Sequence, residues 1–345
     1  MTTLESTASS NAPTEPAHPP TKAASALHFA ERWVLLWLLV AVAAFFSLNP
    51  TSRDIFASTG NLAVLTGNQA VVTLLAIAVL CPLIAGHFDF SVGATHALCA
   101  VLCASFMADF KEPLGVAVVV AVVVGTLIGL VNGVLVARFK LNSFIITLGV
   151  STLVGGIISW YTDGQTIAAG ISPALTGFGS TTLLGVPRLV YLVALLVLAT
   201  WYLLTQTPYG RRLYAIGANL RSARLVGIAV DREVLVSFVL SGTLAGVAGV
   251  LSVARTGAAT SNSGTSALFP AIAAVFLGAT VVTPGRFNVF GTVIGVLFVA
   301  VSVSGLTLMG AANWVDPVFN GLALVLAVSL STLLRRRRTG SAEIG

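Results

Sequence analysis

The stretch Leu114–Val136 reads LGVAVVVAVVVGTLIGLVNGVLV and contains no charged side chain. A helix needs about 20 apolar residues to cross the hydrocarbon core of a bilayer, and this run is long enough. Lipid offers the backbone no hydrogen-bonding partner, so a spanning segment of this kind must be helical. The stretch therefore predicts a membrane-spanning helix, and the rest of the chain repeats its pattern.

Composition extends this prediction to the whole chain. Hydrophobic residues make up 56% of the 345 positions and charged residues 9%, whereas a soluble domain carries about 25% charged residues. The sequence lacks the short alternating segments of a membrane β-barrel. We therefore expect an all-α, polytopic membrane protein with about ten transmembrane helices, in which the stretches 86–93 and 283–288 could be re-entrant. The predicted spans are 33–49, 64–85, 91–108, 114–136, 144–161, 189–205, 233–254, 268–283, 289–309 and 315–334.

The two ends of the chain differ from this pattern. Residues 1–29 are rich in Ser, Thr, Pro and Ala, a composition that cannot form a core and predicts a disordered cytoplasmic tail. This segment lacks the basic region and the cleavage site of a signal peptide. We expect a transmembrane domain over residues 30–334 and a basic cytoplasmic tail over residues 335–345.

The positions of Lys and Arg predict the orientation. Ten spans with a cytoplasmic N-terminus leave four cations outside, Arg53, Lys111, Arg188 and Arg255, and place the remaining 14 of 18 inside. Positive residues concentrate on the cytoplasmic side of membrane proteins. The run Arg335–Arg338 then anchors the C-terminus, so we expect both termini in the cytoplasm.

Several kinds of chemistry lack their characteristic residues. A nucleotide-binding P-loop needs Gly before Lys, but Lys22, Lys111 and Lys140 follow Thr or Phe. The three cysteines lie within apolar runs without a CxxC pair, which argues against disulfides or zinc. Neither a nucleophile–base cluster nor an HExxH motif occurs. We therefore expect no catalysis, no cofactor and no metal, and the cations in the loops set orientation rather than bind nucleic acid. If ATP drives this protein, another chain must bind it.

The segment Gln206–Arg232, QTPYGRRLYAIGANLRSARLVGIAVDR, is a long basic loop on the cytoplasmic side of this topology. It predicts a short helix with Asn219 as its N-cap and Gly227 as its C-terminal stop. Two interpretations remain open, a docking helix for a cytoplasmic motor and an interfacial helix in a positive-inside loop. We expect an apolar side formed by Leu220, Ala223, Leu225 and Val226, with Arg221 and Arg224 facing elsewhere.

This loop resembles that of the ribose-, xylose- and galactoside-type ABC importer permeases, which carries a Gly-Arg pair, a YAIG-N stretch and an A-R-x-G-I turn. Further stretches resemble the same family in order, so that the likeness covers about residues 35–335. The chain departs from the family pattern at His87, where a second glycine is usual, and at Thr283–Phe287, which replaces a Gly-Gly-x-Gly turn. The other matching stretches are GHFDFSVG (Gly86–Gly93), NGVLVARFKLNSFIITLG (Asn132–Gly149), AIAAVFLGAT (Ala271–Thr280) and GRFNVFGTVIG (Gly285–Gly295).

The resemblance implies a type II-like ABC importer permease fold in a bacterial inner membrane. It also implies the partners of such a permease, namely separate ATPase subunits, a second permease copy or a paralogue, and a periplasmic sugar-binding protein. The expected cargo is a monosaccharide. A branched-chain amino acid or nucleoside ABC permease and an ion-coupled secondary carrier remain alternatives.

Within the matching stretches, four residues are candidates for a pore or gate: Asp89, Ser91, Asn132 and Phe144. Simpler functions remain open for three of them. Asp89 and Ser91 could cap the third span, because a side-chain oxygen there satisfies free N–H groups. Asn132 could serve close helix packing or an interhelical hydrogen bond.

Single-cysteine labelling tests the predicted orientation. In a background that lacks Cys81, Cys99 and Cys103, a cysteine at Gln165 should react with a membrane-impermeant maleimide in intact cells. A cysteine at Ser222 should react only after permeabilisation, because its loop is predicted to be cytoplasmic. If the cysteine at Gln165 were labelled only in permeabilised cells or inverted vesicles, the predicted topology would be wrong.

Overall fold

The computed structural model describes residues 33–339, except for the side chains of Thr265 and residues 330–339. Within these residues the regular structure is helical apart from one short antiparallel hairpin, β1 (Thr182–Leu183) and β2 (Val186–Pro187). The π-helical turn Val134–Arg138 continues helix α5. The helices are α1 Val34–Leu48, α2 Arg53–Phe56, α3 Thr59–Ile84, α4 Ser91–Ala108, α5 Leu114–Gly133, α6 Ser143–Thr162, α7 Pro173–Ser180, α8 Arg188–Gln206, α9 Pro208–Ala218, α10 Leu220–Leu225, α11 Val230–Thr256, α12 Ser263–Gly278, α13 Val289–Leu308 and α14 Val315–Thr339.

The apolar helices confirm a polytopic membrane protein. In the described part of the chain, seven helices are long and apolar enough to cross a membrane: α3, α4, α5 with its π-helical turn, α6, α8, α11 and α13. Three shorter apolar stretches, Val34–Leu48, Ser266–Gly278 and Val315–Ser329, coincide with the first, eighth and tenth predicted spans. The total of about ten spans stays a prediction.

The connections and ends carry structure of their own. Helix α7 and the hairpin lie between α6 and α8, and helices α9 and α10 occupy the loop 206–232. Helix α14 continues to Thr339, through the first residues of the predicted tail 335–345. The predicted tail 1–29 and residues 340–345 lie outside the described residues.

Helices α3 and α11 form the centre of the bundle. Helix α11 packs against α3, α4 and α5, and α3 also contacts α8, α12 and α13. Every side chain from Leu74 to Cys81 is fully buried. Helix α6, in contrast, is mostly exposed. Its apolar side chains are therefore available to lipid or to a neighbouring chain.

A glycine seam, formed by Gly125, Gly129, Gly242 and Gly246, brings α5 and α11 together backbone against backbone. A Cβ atom at Gly129 would lie 2.3 Å from the carbonyl oxygen of Phe238, and one at Gly242 would lie 2.2 Å from that of Gly125. Packing rather than the hydrophobic effect holds helices together in lipid, and small residues allow the closest packing. The seam has no room for a larger residue without movement of the helices.

Two interruptions of the helices have similar sequences. The first break, Ala85–Phe90, joins α3 to α4, and the second break, Ala279–Asn288, joins α12 to α13. In each, a glycine with positive φ (84° at Gly86, 81° at Gly285) precedes His or Arg, then Phe, then Asp or Asn. Glycine adopts this conformation without steric cost. The predicted span 268–283 runs past the end of α12, because the sequence stays apolar at the start of the second break.

Candidate functional site

The Asp89 carboxylate is the centre of a buried polar cluster, formed by Asp89, Ser91, Asn132 and Ser241. Its Oδ1 accepts hydrogen bonds from the backbone N–H of Ser91 (3.0 Å) and from the Ser91 hydroxyl (2.6 Å). Its Oδ2 accepts a hydrogen bond from the Ser241 hydroxyl (2.9 Å). The Asn132 side-chain amide donates to the Ser91 oxygen (2.7 Å). The cluster therefore joins the start of α4 to α5 and α11.

These contacts decide between helix capping and an interhelical hydrogen bond, the simpler functions that the sequence left open. Asp89 satisfies the N–H of the first residue of α4, a group that has no partner inside the helix. Ser91 does not cap the helix, because its hydroxyl donates to Asp89 and accepts from Asn132. Asn132 makes the predicted interhelical hydrogen bond. A pore or gate function for these residues stays a prediction.

The surroundings of Asp89 change its acidity. The residue is 1% exposed, and this burial raises the pKa of the Asp89 carboxyl, because an apolar environment disfavours the charged form. Hydrogen bonds from Ser91 and Ser241 lower the pKa and oppose the shift in part. Loss of the cluster's donors would therefore leave a poorly compensated buried acid.

Phe144 lies apart from the polar cluster, in a group of aromatic rings that links the two breaks. The rings of Phe88 and Phe90 stack with centroids 5.1 Å apart, and Phe90 meets Phe144 edge-on at 5.2 Å. Phe88 also stacks on Phe276 at 6.2 Å, and Phe276 meets Phe287 edge-on at 5.4 Å. Such pairs contribute about 0.5–1.5 kcal/mol each beyond the area that they bury. The group thus ties the breaks to each other and to the start of α6.

A cavity of about 690 Å³ lies between the two breaks, and we call it the inter-break cavity. Its walls come from the two breaks, the start of α6 and the ends of α3, α9 and α12. Phe144 lines it, but the buried polar cluster does not. The polar side chains in its lining are His87, Asn142, Ser143, Tyr214 and Arg286.

Helices α9 and α10, with the residues up to Gly227, form what we call the coupling segment. The Asn219 side chain accepts a hydrogen bond from the backbone N–H of Ser222 (3.0 Å), and Gly227 has a φ of 81°. The predicted N-cap and the predicted stop are therefore confirmed.

The expected single apolar side of α10 is wrong, because Ala223 faces the interior of the protein. Ala223 is 3% exposed and belongs to the main hydrophobic core. Leu220, Leu225 and Val226 remain 42%, 87% and 75% exposed. Helix α10 is thus held to its own chain by Ala223 and presents its other apolar residues outward.

Helix α9 attaches the coupling segment to both breaks. A Cβ atom at Gly217 would lie 1.9 Å from the carbonyl oxygen that ends α3. The Tyr214 hydroxyl donates to the carbonyl oxygen of Phe287 in the second break (2.8 Å), and burial raises the pKa of Tyr214 to about 12, so this hydroxyl stays protonated. Arg212 pairs with the buried Glu233 at the start of α11 (3.2 Å).

Sequence reasoning missed several residues that hold these features in place. Thr147 accepts a hydrogen bond from the N–H of Phe90 (2.9 Å), and Ser143 accepts one from the N–H of Phe88 (3.2 Å). The sequence did contain a signal for this pair, because Ser143 and Thr147 are hydroxyl residues one helical turn apart in an apolar span. Ser241 carried no such signal, because nothing near it in the sequence points to Asp89.

Comparison with known proteins gives consistent matches. A family model described as the permease component of a branched-chain amino acid transport system matches residues 61–328. The chain is 33% identical over 309 residues to the ribose import permease protein RbsC of Escherichia coli K12, covering 87% of this chain and 95% of the relative. It is 36% identical over 296 residues to RbsC of Bacillus subtilis 168, covering 86% and 90%. It is 33% identical over 299 residues to the D-allose transport system permease protein AlsC of Escherichia coli K12, covering 87% and 90%. No solved structure gives a significant match.

Replacing Asp89 tests whether the polar cluster stabilises the bundle. Asp89→Ala should lower the melting temperature of the detergent-purified protein markedly, because buried donors left unpaired cost about 1–3 kcal/mol each. The control is Asp54→Ala, since the Asp54 side chain is 82% exposed. Melting followed by size-exclusion chromatography would compare the two variants. Equal melting temperatures would show that the cluster does not stabilise the fold.

Proposed function

The chain belongs to the family of permease components of branched-chain amino acid transport systems, and on that premise we propose that it is the permease subunit of an ATP-driven monosaccharide importer. The observation that carries this proposal is the match, over more than four fifths of this chain, to permeases named for ribose and allose import. The family description also names branched-chain amino acids, but the named relatives reported above transport sugars. We therefore favour a monosaccharide over an amino acid or a nucleoside.

The membrane arrangement that we propose has about ten spans with both termini in the cytoplasm of a bacterial inner membrane. In this arrangement the three shorter apolar helices would be the spans beyond the seven long ones. The excess of Lys and Arg in the loops of one side supports the orientation. A type II-like importer fold with a second permease copy or a paralogue completes the proposal, and the mostly exposed helix α6 offers that partner an apolar face.

The energy for transport would come from separate ATPase subunits. The sequence has no Gly-Lys pair for a P-loop of its own. An ion-coupled carrier would need an available intramembrane acid or base, and His96, buried within α4 with neither ring nitrogen hydrogen-bonded to a described residue, is a residue of that kind. The match to permease components of import systems, rather than the geometry, therefore favours an ATP-driven importer over a carrier.

We propose that the coupling segment is the contact to the ATPase. Leu225 and Val226 project outward from a short, well-capped helix, beside the exposed Arg221 and Arg224. Exposed apolar side chains on a helix that is anchored by Ala223 suit a protein groove. The attachments of α9 to both breaks give this contact a direct route to the bundle.

Substrate would reach the outer end of the path from a separate periplasmic sugar-binding protein. This chain has the membrane helices that such a path requires. Its relatives are named as permease proteins of import systems, which supports a separate protein for substrate delivery. In such a system, much of the substrate selection takes place in the binding protein. The permease then needs only a path that accepts the delivered sugar.

Reconstitution tests the proposed function. Liposomes containing the chain, its ATPase and its binding protein should take up labelled monosaccharide only with ATP, and the sugar should stimulate hydrolysis. The chain alone should neither bind nor hydrolyse ATP. Sugar uptake by the chain alone, driven by a proton or sodium gradient, would refute the proposal.

Substitutions on α10 test the coupling contact. Leu225→Asp should abolish capture of the ATPase and sugar uptake, because an uncompensated charge in a buried interface costs on the order of several kcal/mol. Arg221→Ala is the matched control on the same helix and should have little effect, since an exposed cation contributes little. ATPase pull-down and uptake would be measured at equal membrane expression.

Position 225 tests docking, whereas position 223 would not. Ala223→Asp would place a charge in the chain's own core and would report folding rather than docking. If Leu225→Asp keeps wild-type capture and uptake, α10 is not the contact. An interfacial helix predicts that outcome, because such a helix tolerates one acidic residue at its surface.

A further inference from the structure

The inter-break cavity has the size and the apolar lining of a small-molecule site. Its volume of about 690 Å³ lies within the range of roughly 300–1,000 Å³ that is usual for ligand pockets. The rings of Phe88, Phe144, Phe276 and Phe287 form part of its wall. Aromatic faces of this kind pack against the apolar face of a ring-shaped ligand.

The backbone around the cavity supplies polar groups of both kinds. Helices α3, α9 and α12 end at its wall, and α6 begins there. Helix ends present carbonyl oxygens and helix starts present N–H groups. A hydroxyl group both donates and accepts hydrogen bonds. Several of these backbone groups are already paired, such as the Leu83 carbonyl oxygen with the Gly86 N–H. The side chains of His87, Asn142 and Ser143 therefore supply the polar groups for a ligand with several hydroxyls.

The side chains decide the charge that the cavity prefers. Among the described residues, Arg286 is the one charged residue in the lining, and no Asp or Glu contributes to it. Its guanidinium lies 5.6 Å from the centre of the Tyr214 ring, and no ion pair within the described residues holds it. A guanidinium binds carboxylates and phosphates through two parallel hydrogen bonds. The nearby Lys140, in contrast, is paired with Asp231.

His87 adds a neutral polar group to this lining. Burial lowers the pKa of His87, and the charge of Lys140 lowers it further. The imidazole is therefore neutral near pH 7, with one nitrogen that donates and one that accepts. His87 can bind a hydroxyl, whereas Arg286 attracts an anionic group.

We propose that the inter-break cavity binds a monosaccharide derivative with one anionic group, a carboxylate or a phosphate. The sugar ring packs against the aromatic wall of the cavity, and the anionic group pairs with Arg286. Because Arg286 is an exposed residue, the charged end of the ligand lies at the mouth of the cavity. The inference rests on the proposed function for the sugar class of its ligand. The ligand could be the cargo itself or a product inside the cell that regulates uptake.

Binding of matched probes tests this proposal. The full-length chain in nanodiscs would be titrated with D-ribose 5-phosphate and with D-ribose by calorimetry. We expect the phosphate to bind at least tenfold more tightly, and Arg286→Gln to bring the ratio of the two affinities close to one. Arg211→Gln, an exposed arginine on α9 outside the lining, should keep the wild-type ratio. Equal affinities, no binding of either probe, or a preference that survives Arg286→Gln would overturn the proposal.

Proteoliposomes with the ATPase and the binding protein distinguish the two sources of the ligand. ATP-driven uptake of labelled D-ribose 5-phosphate identifies the cargo, and inhibition of D-ribose uptake by the phosphate from the side of the coupling segment identifies a regulator. ATP-driven sugar uptake together with equal probe affinities would overturn the cavity proposal and leave the proposed function standing. A tenfold preference for the phosphate probe without ATP-driven uptake of any sugar would overturn the proposed function and leave the cavity proposal standing.

Discussion

Backbone groups in an apolar environment must find their hydrogen bonds inside the protein, and this constraint shapes the whole bundle. Within a helix the backbone N–H and carbonyl groups bond to each other, but in the two breaks many of these groups need side-chain partners. In the first break, Thr147 accepts from the N–H of Phe90, and Asp89 accepts from that of Ser91. In the second, the Asn288 amide donates to three backbone carbonyl oxygens and its oxygen accepts from an N–H of α13. Polar side chains such as Asp89, Thr147 and Asn288 therefore supply the missing hydrogen bonds where the helices stop.

The sequence was informative about features that depend on neighbours along the chain. Hydropathy predicted the long helices, and Asn219 and Gly227 marked the limits of α10 correctly. Features that depend on tertiary packing were out of reach. The burial of Ala223 follows from contacts of α10 with α9 and α11, and Ser241 lies 152 positions from Asp89. Hydropathy also missed the end of α12 at Gly278, because a helix that ends within an apolar run does not change the average hydropathy of that stretch.

The coupling segment and the inter-break cavity share part of their structure. Tyr214 and Gly217 belong to α9 and also line the cavity. The Tyr214 hydroxyl donates a hydrogen bond to the second break, and the Arg286 guanidinium lies over the Tyr214 ring. The proposed ATPase contact and the proposed ligand site are therefore neighbours on one helix.

The glycine seam limits how this bundle can move. Two helices in backbone contact along Gly125, Gly129, Gly242 and Gly246 cannot slide past each other without many simultaneous clashes, so α5 and α11 travel as one rigid body. Helix α6 has no comparable seam and is mostly exposed. A shift of α6 relative to that pair therefore meets fewer close backbone contacts than a shift of α5 against α11 would. The short connection after the π-helical turn, where Lys140 has a φ of 56°, links α6 to this rigid pair.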